Sequence, residues 1–225
     1  MQNTVDNFPI HFPSDISEKL LGKKAIVTGG TGMIGREVVR LLLDHGCSVT
    51  SISLDDLVID PRANYVKGDL SELNFCLDIS SDMDFVFHVA GIKGSVVVTK
   101  EKPASFFVPL LMMNTNMLEA ARRNKVDKVL YTSSIGAYSP TETFIESKDD
   151  LNIPPMDMFP GWAKRMAEMQ IDAYRIQYGT HGLMMSATPS LKPKPAWSYS
   201  KTLKPAAWKA SAYSSMTMTN VPDVP

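Results

Sequence analysis

Only two cysteines, Cys47 and Cys76, occur in 225 residues, too few for a disulfide framework. They fall in a strand-like and a helix-like segment and read as buried thiols of a reducing compartment. Charge of one sign is missing as well. Lys and Arg number 23 against 24 Asp and Glu, a net charge of −1. That balance offers no basic face of the kind nucleic acid requires. Long apolar runs are absent too: Phe106 to Met113 is short and contains Pro109, whereas a membrane-spanning helix needs about 20 apolar residues. The opening MQNTVDNFPIHFPSD is polar and acidic, unlike a signal peptide. These shortages lead to the expectation of a cytoplasmic protein with neither membrane nor nucleic acid as partner, and with no metal site. What the chain does have is 44% hydrophobic residues, enough to bury one sizeable core.

Strand and helix signals alternate from Lys24 onward, as they do in a parallel sheet with crossover helices. Strands are expected at Lys24–Thr28, Ser48–Leu54, Tyr65–Lys67, Asp84–Val89 and Lys128–Thr132. Helices are expected at Met33–His45, Ser71–Ile79, Pro103–Asn124 and Trp162–Tyr178. In the last of these Met166, Met169, Ile171, Tyr174 and Ile176 are the candidate buried positions. The fold class is therefore α/β, a Rossmann-type doubly wound parallel sheet. Residues 1–22 read as an N-terminal arm and 23–185 as the nucleotide-binding domain. Residues 186–225 read as an irregular tail rich in Ser, Thr, Pro and Lys, with Asp223 its only acid.

The most informative stretch is Val27-Thr28-Gly29-Gly30-Thr31-Gly32-Met33-Ile34-Gly35. It follows a clean strand and opens an apolar helix, the context in which a glycine turn binds a dinucleotide pyrophosphate. One glycine turns the chain off the strand and one admits the pyrophosphate. Gly35 lets the helix pack on the sheet. Phosphate then meets the free amides and the positive end of the helix. About 20 residues on, the second strand should end in an acid for the adenosine ribose. Asp55 and Asp56 lie there, and an acid favours NAD over NADP. A polar turn after the strand is the alternative for either Asp, so the cofactor is NAD or NADP with NAD favoured.

Together these residues resemble the extended short-chain dehydrogenase/reductase family, the NAD-dependent epimerases and dehydratases of nucleotide-sugar type. The markers are the glycine turn, Gly68-Asp69-Leu70, Phe87-His88-Val89-Ala90-Gly91, Tyr131-Thr132-Ser133-Ser134 with Tyr138, and Ala163-Lys164-Arg165-Met166-Ala167-Glu168. They span Lys23 to Gly182. The resemblance implies cofactor contacts from Gly29, Gly30, Thr31, Gly32, Met33, Ile34, Gly35 and Asp55. It also implies that Asp69 and Leu70 meet the adenine and that Val89, Ala90 and Gly91 line the cofactor. Ser134 is implied as the catalytic hydroxyl on the substrate oxygen. Lys164 is implied to bind the nicotinamide ribose and to lower the pKa of a catalytic tyrosine. Met112, Met113, Asn114 and Asn116 lie on the helix that pairs subunits in the family, which implies a homodimer.

The chain departs from that pattern at three places. Four residues before Lys164 stands Pro160, where the family has its tyrosine general acid/base. His88 is open to two readings, a stand-in for that tyrosine or a satisfied core histidine, and Tyr138 is expected to point elsewhere. The family's ribose-binding acid falls on Ser53, with Asp55 two residues later. Finally, Gly182-Leu183-Met184-Met185 begins a strand that the family continues into its sugar-nucleotide cap. Here the Ser/Pro/Lys stretch follows instead, and a break of reading frame near Ser186 is the expectation. Two functions fit. One is a nucleotide-sugar epimerase, dehydratase or reductase acting through a transient keto-sugar. The other is a dinucleotide-binding protein without catalysis.

Overall fold

The computed structural model describes residues 14–92, 94, 96–141, 149–179 and 183–185. All of them belong to one compact unit, Met1–Pro189. The expected tail, 186–225, lies outside the described residues, as does most of the expected arm. The elements in order are α1 (Ser14–Leu20), β1 (Lys24–Thr28), α2 (Met33–Asp44), β2 (Ser48–Ser53), β3 (Asn64–Lys67), α3 (Leu73–Ile79) and β4 (Phe85–His88). They continue with α4 (Val96–Glu101), α5 (Ala104–Arg123), β5 (Lys128–Thr132), α6 (Met158–Tyr178) and β6 (Leu183–Met185).

The six strands form one sheet of order β3-β2-β1-β4-β5-β6, every described pair parallel. This is the doubly wound order: after β3 the chain crosses to the other half of the sheet at β4, and the switch point lies between β1 and β4. Strand alternation splits the core in two. Ile26, Ile52 and Val86 face α3 and α5, where they meet Cys76, Leu110, Met113 and Met117. Ala25, Val27 and Val49 point the other way, onto Val39 and Leu42 of α2. Strands buried on both faces explain why β1 reads as a continuous apolar run.

α6 begins at Met158, four residues before the expected Trp162. Pro160 is its third residue, a position whose amide has no intrahelical acceptor, so the missing N–H costs nothing. The buried face also differs from expectation. Gly161, Ala163, Arg165, Ala167 and Ile171 are buried, whereas Met166 and Met169 are each 42% exposed and Ile176 is 78% exposed. Small residues let α6 approach its neighbours closely, and that close approach selected the face over bulk hydrophobicity. Both cysteines are buried and unbridged, as expected.

Candidate functional site

The C-terminal ends of β1 to β4 enclose a cleft of about 410 Å³. Four loops line it: Gly29 to Gly35 after β1, Ser53 to Asp55 after β2, Gly68 to Leu70 after β3, and Val89 to Ile92 after β4. The cleft thus sits at the point where strand order reverses, where open α/β sheets take their ligands.

The glycine turn is built for close approach. Gly29 has φ +68°, a left-handed conformation costly for other residues, and a Cβ there would lie 2.9 Å from the Ala90 Cα. A Cβ on Gly35 would overlap the Gly29 carbonyl, so only glycine lets the first turn of α2 fold back on the loop. Gly32 caps α2 with no side-chain hydrogen bond, which leaves the first amides of the helix without a side-chain partner. A cradle that side chains would fill, opening onto uncapped amides, suits a pyrophosphate.

Gly30 departs from the expected cofactor contact. It is buried, its Cα packed against Ser51 and Val39, and it is not among the residues lining the cleft. Its role is to seat the loop on β2. The remaining expected residues of the turn, Gly29, Thr31, Gly32, Met33, Ile34 and Gly35, do line the cleft, together with Asp55, Asp69, Leu70, Val89, Ala90 and Gly91.

Polar side chains organise the β2 end. The Thr31 hydroxyl lies 2.8 Å from Ser53 Oγ and 3.0 Å from Asp55 Oδ2. The Leu57 amide donates to the other oxygen of Asp55 at 3.1 Å. Asp69 accepts the Ser71 amide at 2.9 Å, and Asn116 of α5 donates to the Leu70 and Ser71 carbonyls, fixing the loop after β3. Sequence reasoning missed Ile52, Leu54, Ile92 and Met113 on the cleft wall. Met113 was signalled by its place on the buried α5 stripe with Leu110 and Met117, but that stripe reads equally as core.

A second cluster lies at the end of β5. Ser134 Oγ accepts the Gly136 amide at 3.1 Å and caps the short 3₁₀ turn Ile135–Ala137. Lys164 Nζ donates to the Thr132 carbonyl at 2.8 Å and sits 4.7 Å from the Tyr131 ring centroid. Ser134 and Lys164 therefore both lie at the end of β5, although neither lines the cleft. Arg165 is 1% exposed and ties this region together. It donates to Ala137 O at 2.9 Å and to Ile153 O at 2.7 Å, and its guanidinium lies 5.4 Å from the Trp162 ring.

His88 resolves to the core reading. It is fully buried between the Thr28 hydroxyl, 2.7 Å from Nδ1, and Asn114 Oδ1, 3.0 Å from Nε2. The Ala90 amide donates to Thr28 Oγ1, and Asn114 Nδ2 donates to the Tyr131 hydroxyl. That chain assigns a neutral imidazole carrying its proton on Nε2. Burial, with the Lys164 charge second, pushes its pKa down to about 3. Such a group does not accept a proton near neutrality. Burial likewise raises the thiols of Cys47 to about 11 and Cys76 to about 12, which leaves them unreactive.

Residues 25–189 match the sequence profile of the NAD dependent epimerase/dehydratase family. The chain belongs to that family. It is 26% identical over 179 residues to a 3 beta-hydroxysteroid dehydrogenase/Delta 5→4-isomerase of Mycobacterium tuberculosis, covering 77% of this chain and 47% of the relative. It is 28% identical over 170 residues to a UDP-glucose 4-epimerase of Azospirillum brasilense, covering 71% and 46%. Among solved structures, a UDP-N-acetylglucosamine 4-epimerase from Methanobrevibacter ruminantium, in complex with UDP-N-acetylmuramic acid, superposes with a TM-score of 0.63 at 25% identity. That match covers 74% of this chain and 55% of the other. The chain spans about half the length of the curated relatives it matches.

Against the pattern of this epimerase/dehydratase family, the position of its tyrosine holds Pro160, half-buried in the first turn of α6 and one turn before Lys164. The neighbouring Phe159 rests against Phe107, ring centroids 5.9 Å apart. Tyr138 is buried beside the 3₁₀ turn. No helix among the described residues is long and apolar enough to cross a membrane.

Proposed function

We propose that this chain binds NAD or NADP in the cleft at the β1/β4 crossover and acts on a nucleotide-sugar through a transient keto-sugar. The observation that carries the reading is the convergence of four separate loops, each expected from sequence, on one cleft. When bound, the nicotinamide supplies the hydride acceptor. Gly29, Thr31, Gly32 and the first amides of α2 hold the pyrophosphate. Asp55 and Ser53 take the adenosine ribose, Asp69 and Leu70 flank the adenine, and Val89 to Gly91 line the path toward β5. Ser134 hydrogen-bonds the substrate oxygen, and Lys164 holds the nicotinamide ribose. Similarity to a UDP-glucose 4-epimerase and to a UDP-N-acetylglucosamine 4-epimerase supports the nucleotide-sugar class.

Pro160 favours a second reading, a dinucleotide-binding protein without hydride transfer, because neither it nor Phe159 carries a titratable proton. Two further parts of the proposal rest on exposure and burial. Val108 and Met112 of α5 and Met166 and Met169 of α6 are exposed apolar residues on packed helices and support a homodimer. Met113 and Asn114, on the same helix, are buried and belong to the core. The buried, unbridged cysteines support a reducing, cytoplasmic compartment.

The test is fluorescence titration with NADH and NADPH, followed by a screen of sugar nucleotides, UDP-glucose and UDP-N-acetylglucosamine among them. Saturable binding lost in Gly32→Trp, with turnover of a sugar nucleotide, supports the enzyme. Binding without turnover of any of them selects the second reading.

A further inference from the structure

Seven arginines occur in the sequence, and all seven are among the described residues. Six have a carboxylate partner. Arg40 pairs with Glu37 and Asp44, Arg62 with Asp60 and Asp44, Arg122 and Arg123 with Glu119, Arg165 with Asp149, and Arg175 with Asp172. Arg36 has none. Its guanidinium instead lies on the phosphate turn, with Nη2 3.2 Å from the Thr31 carbonyl and Nε 3.3 Å from the Gly32 carbonyl. Those two bonds use part of a five-donor fork and neutralise none of its charge. An exposed cation is thereby held against Thr31 and Gly32, two residues that line the cleft, and Thr31 is the residue whose hydroxyl contacts both Ser53 and Asp55.

The end of β2 is where the two dinucleotides differ. NAD presents a ribose 2′-hydroxyl there, best met by a carboxylate, and NADP presents a phosphate, best met by an arginine. The strand itself ends in Ser53, a neutral hydroxyl. Asp55 is displaced two residues along the chain, and both its oxygens already accept hydrogen bonds, from Thr31 and Leu57. The groups at that strand end are therefore the Thr31 and Ser53 hydroxyls, the engaged Asp55, the Lys67–Asp56 ion pair of the adjoining strand, and Arg36, which has no acid among the described residues.

On the reading that a dinucleotide occupies the cleft, we infer that Arg36 is a cofactor-selecting residue that takes the 2′-phosphate of NADP(H), so that the chain accepts NADPH at least as well as NADH. Guanidinium meets phosphate through charge-assisted, often bidentate hydrogen bonds.

The experiment titrates wild type, Arg36→Gln and Arg36→Lys with NADH and NADPH, and repeats the titration with the nicotinamide-free probes adenosine 2′,5′-bisphosphate and AMP. Wild type is expected to bind NADPH with an affinity equal to or above that for NADH. Arg36→Gln shifts the NADPH-to-NADH affinity ratio toward NADH by about tenfold or more, and Arg36→Lys restores part of it. The bisphosphate should lose affinity in Arg36→Gln in the same proportion. A ratio unchanged in Arg36→Gln, or a wild type that strongly prefers NADH, overturns the inference while leaving dinucleotide binding intact. If wild type binds neither dinucleotide, the proposed cofactor site falls and this selector falls with it.

Discussion

The ends of β1 to β4 and the end of β5 with α6 are built by different means. The first region consists of backbone: glycine turns, helix amides and loop carbonyls, with polar side chains added at the rim. The second depends on individual side chains, Ser134, Lys164 and the buried Arg165, held by hydrogen bonds to backbone groups. Backbone geometry is set by a few glycines, and all of them are present. A catalytic constellation needs each member, and here the tyrosine position holds Pro160. On the proposed function, the cofactor cradle and the proton-transfer group belong to different regions, and the two should respond separately to mutation.

The largest separation comes from Gly35→Val. Its side chain would overlap the Gly29 carbonyl, forcing the turn away from α2. Saturable dinucleotide binding should vanish in fluorescence titration, while circular dichroism still reports the α/β fold. Retained affinity within a few-fold would mean that the cradle is not where the dinucleotide binds. Next in size is Arg165→Ala. It removes a buried guanidinium from two carbonyls and from Asp149, and should cost about 4 kcal/mol in urea unfolding. In the fraction that remains folded, dinucleotide affinity should stay within about threefold, since Arg165 touches no residue of the cleft. A parallel loss of affinity would merge the two regions into one.

The same division shows in how far the sequence could be read. Strand positions followed from apolar runs bounded by turns, and the glycine turn followed from its strand–helix context, because both signals are local. Asp55 came from spacing alone; it lies on the cleft wall, beside Thr31. Three placements went unread for one reason, contact between residues distant in sequence. Gly30 looked like a ligand-facing glycine but is packed against Ser51. Met166 and Met169 looked buried, whereas small residues and a charged one took the inner face of α6. Arg165 carried no sign of burial, because its acceptors, Ala137 and Ile153, lie 28 and 12 residues away in sequence. Pro160, by contrast, was visible at once as a chemical departure. Only the start of α6 at Met158 explains why a proline is structurally acceptable there.

That acceptability makes Pro160→Tyr the direct test of the altered half. The substitution loses little in the first turn of a helix and places a phenol one turn before Lys164. If catalysis lacks only its proton acceptor, turnover of whichever sugar nucleotide binds should rise about a hundredfold, the lower end for general acid–base catalysis. The new activity should increase with pH as the phenol ionises, at a pH lowered by the neighbouring ammonium. Unchanged turnover with unchanged cofactor affinity would show that the β5–α6 region lacks more than the phenol.

The smallest effect concerns the group that joins the two regions. His88 links Thr28, beside the cradle, to Asn114 and Tyr131, beneath Lys164. Burial holds its folded pKa near 3, below the value of about 6.5 for an unfolded histidine. Above pH 6.5 both states are neutral and the group adds no pH dependence. As pH falls below 6.5 the unfolded chain takes up a proton that the folded chain refuses, and stability falls. The loss should be about 1 kcal/mol between pH 6.5 and 5.5, a window above the range where the paired carboxylates protonate. His88→Gln should flatten urea-derived stability across that interval even where its absolute stability is lower. A histidine that titrated normally in the fold would leave the wild-type slope no steeper than the variant's. It would then have to exchange protons with its surroundings, which restores the role of proton acceptor that the closed chain from Ala90 to Tyr131 denies it.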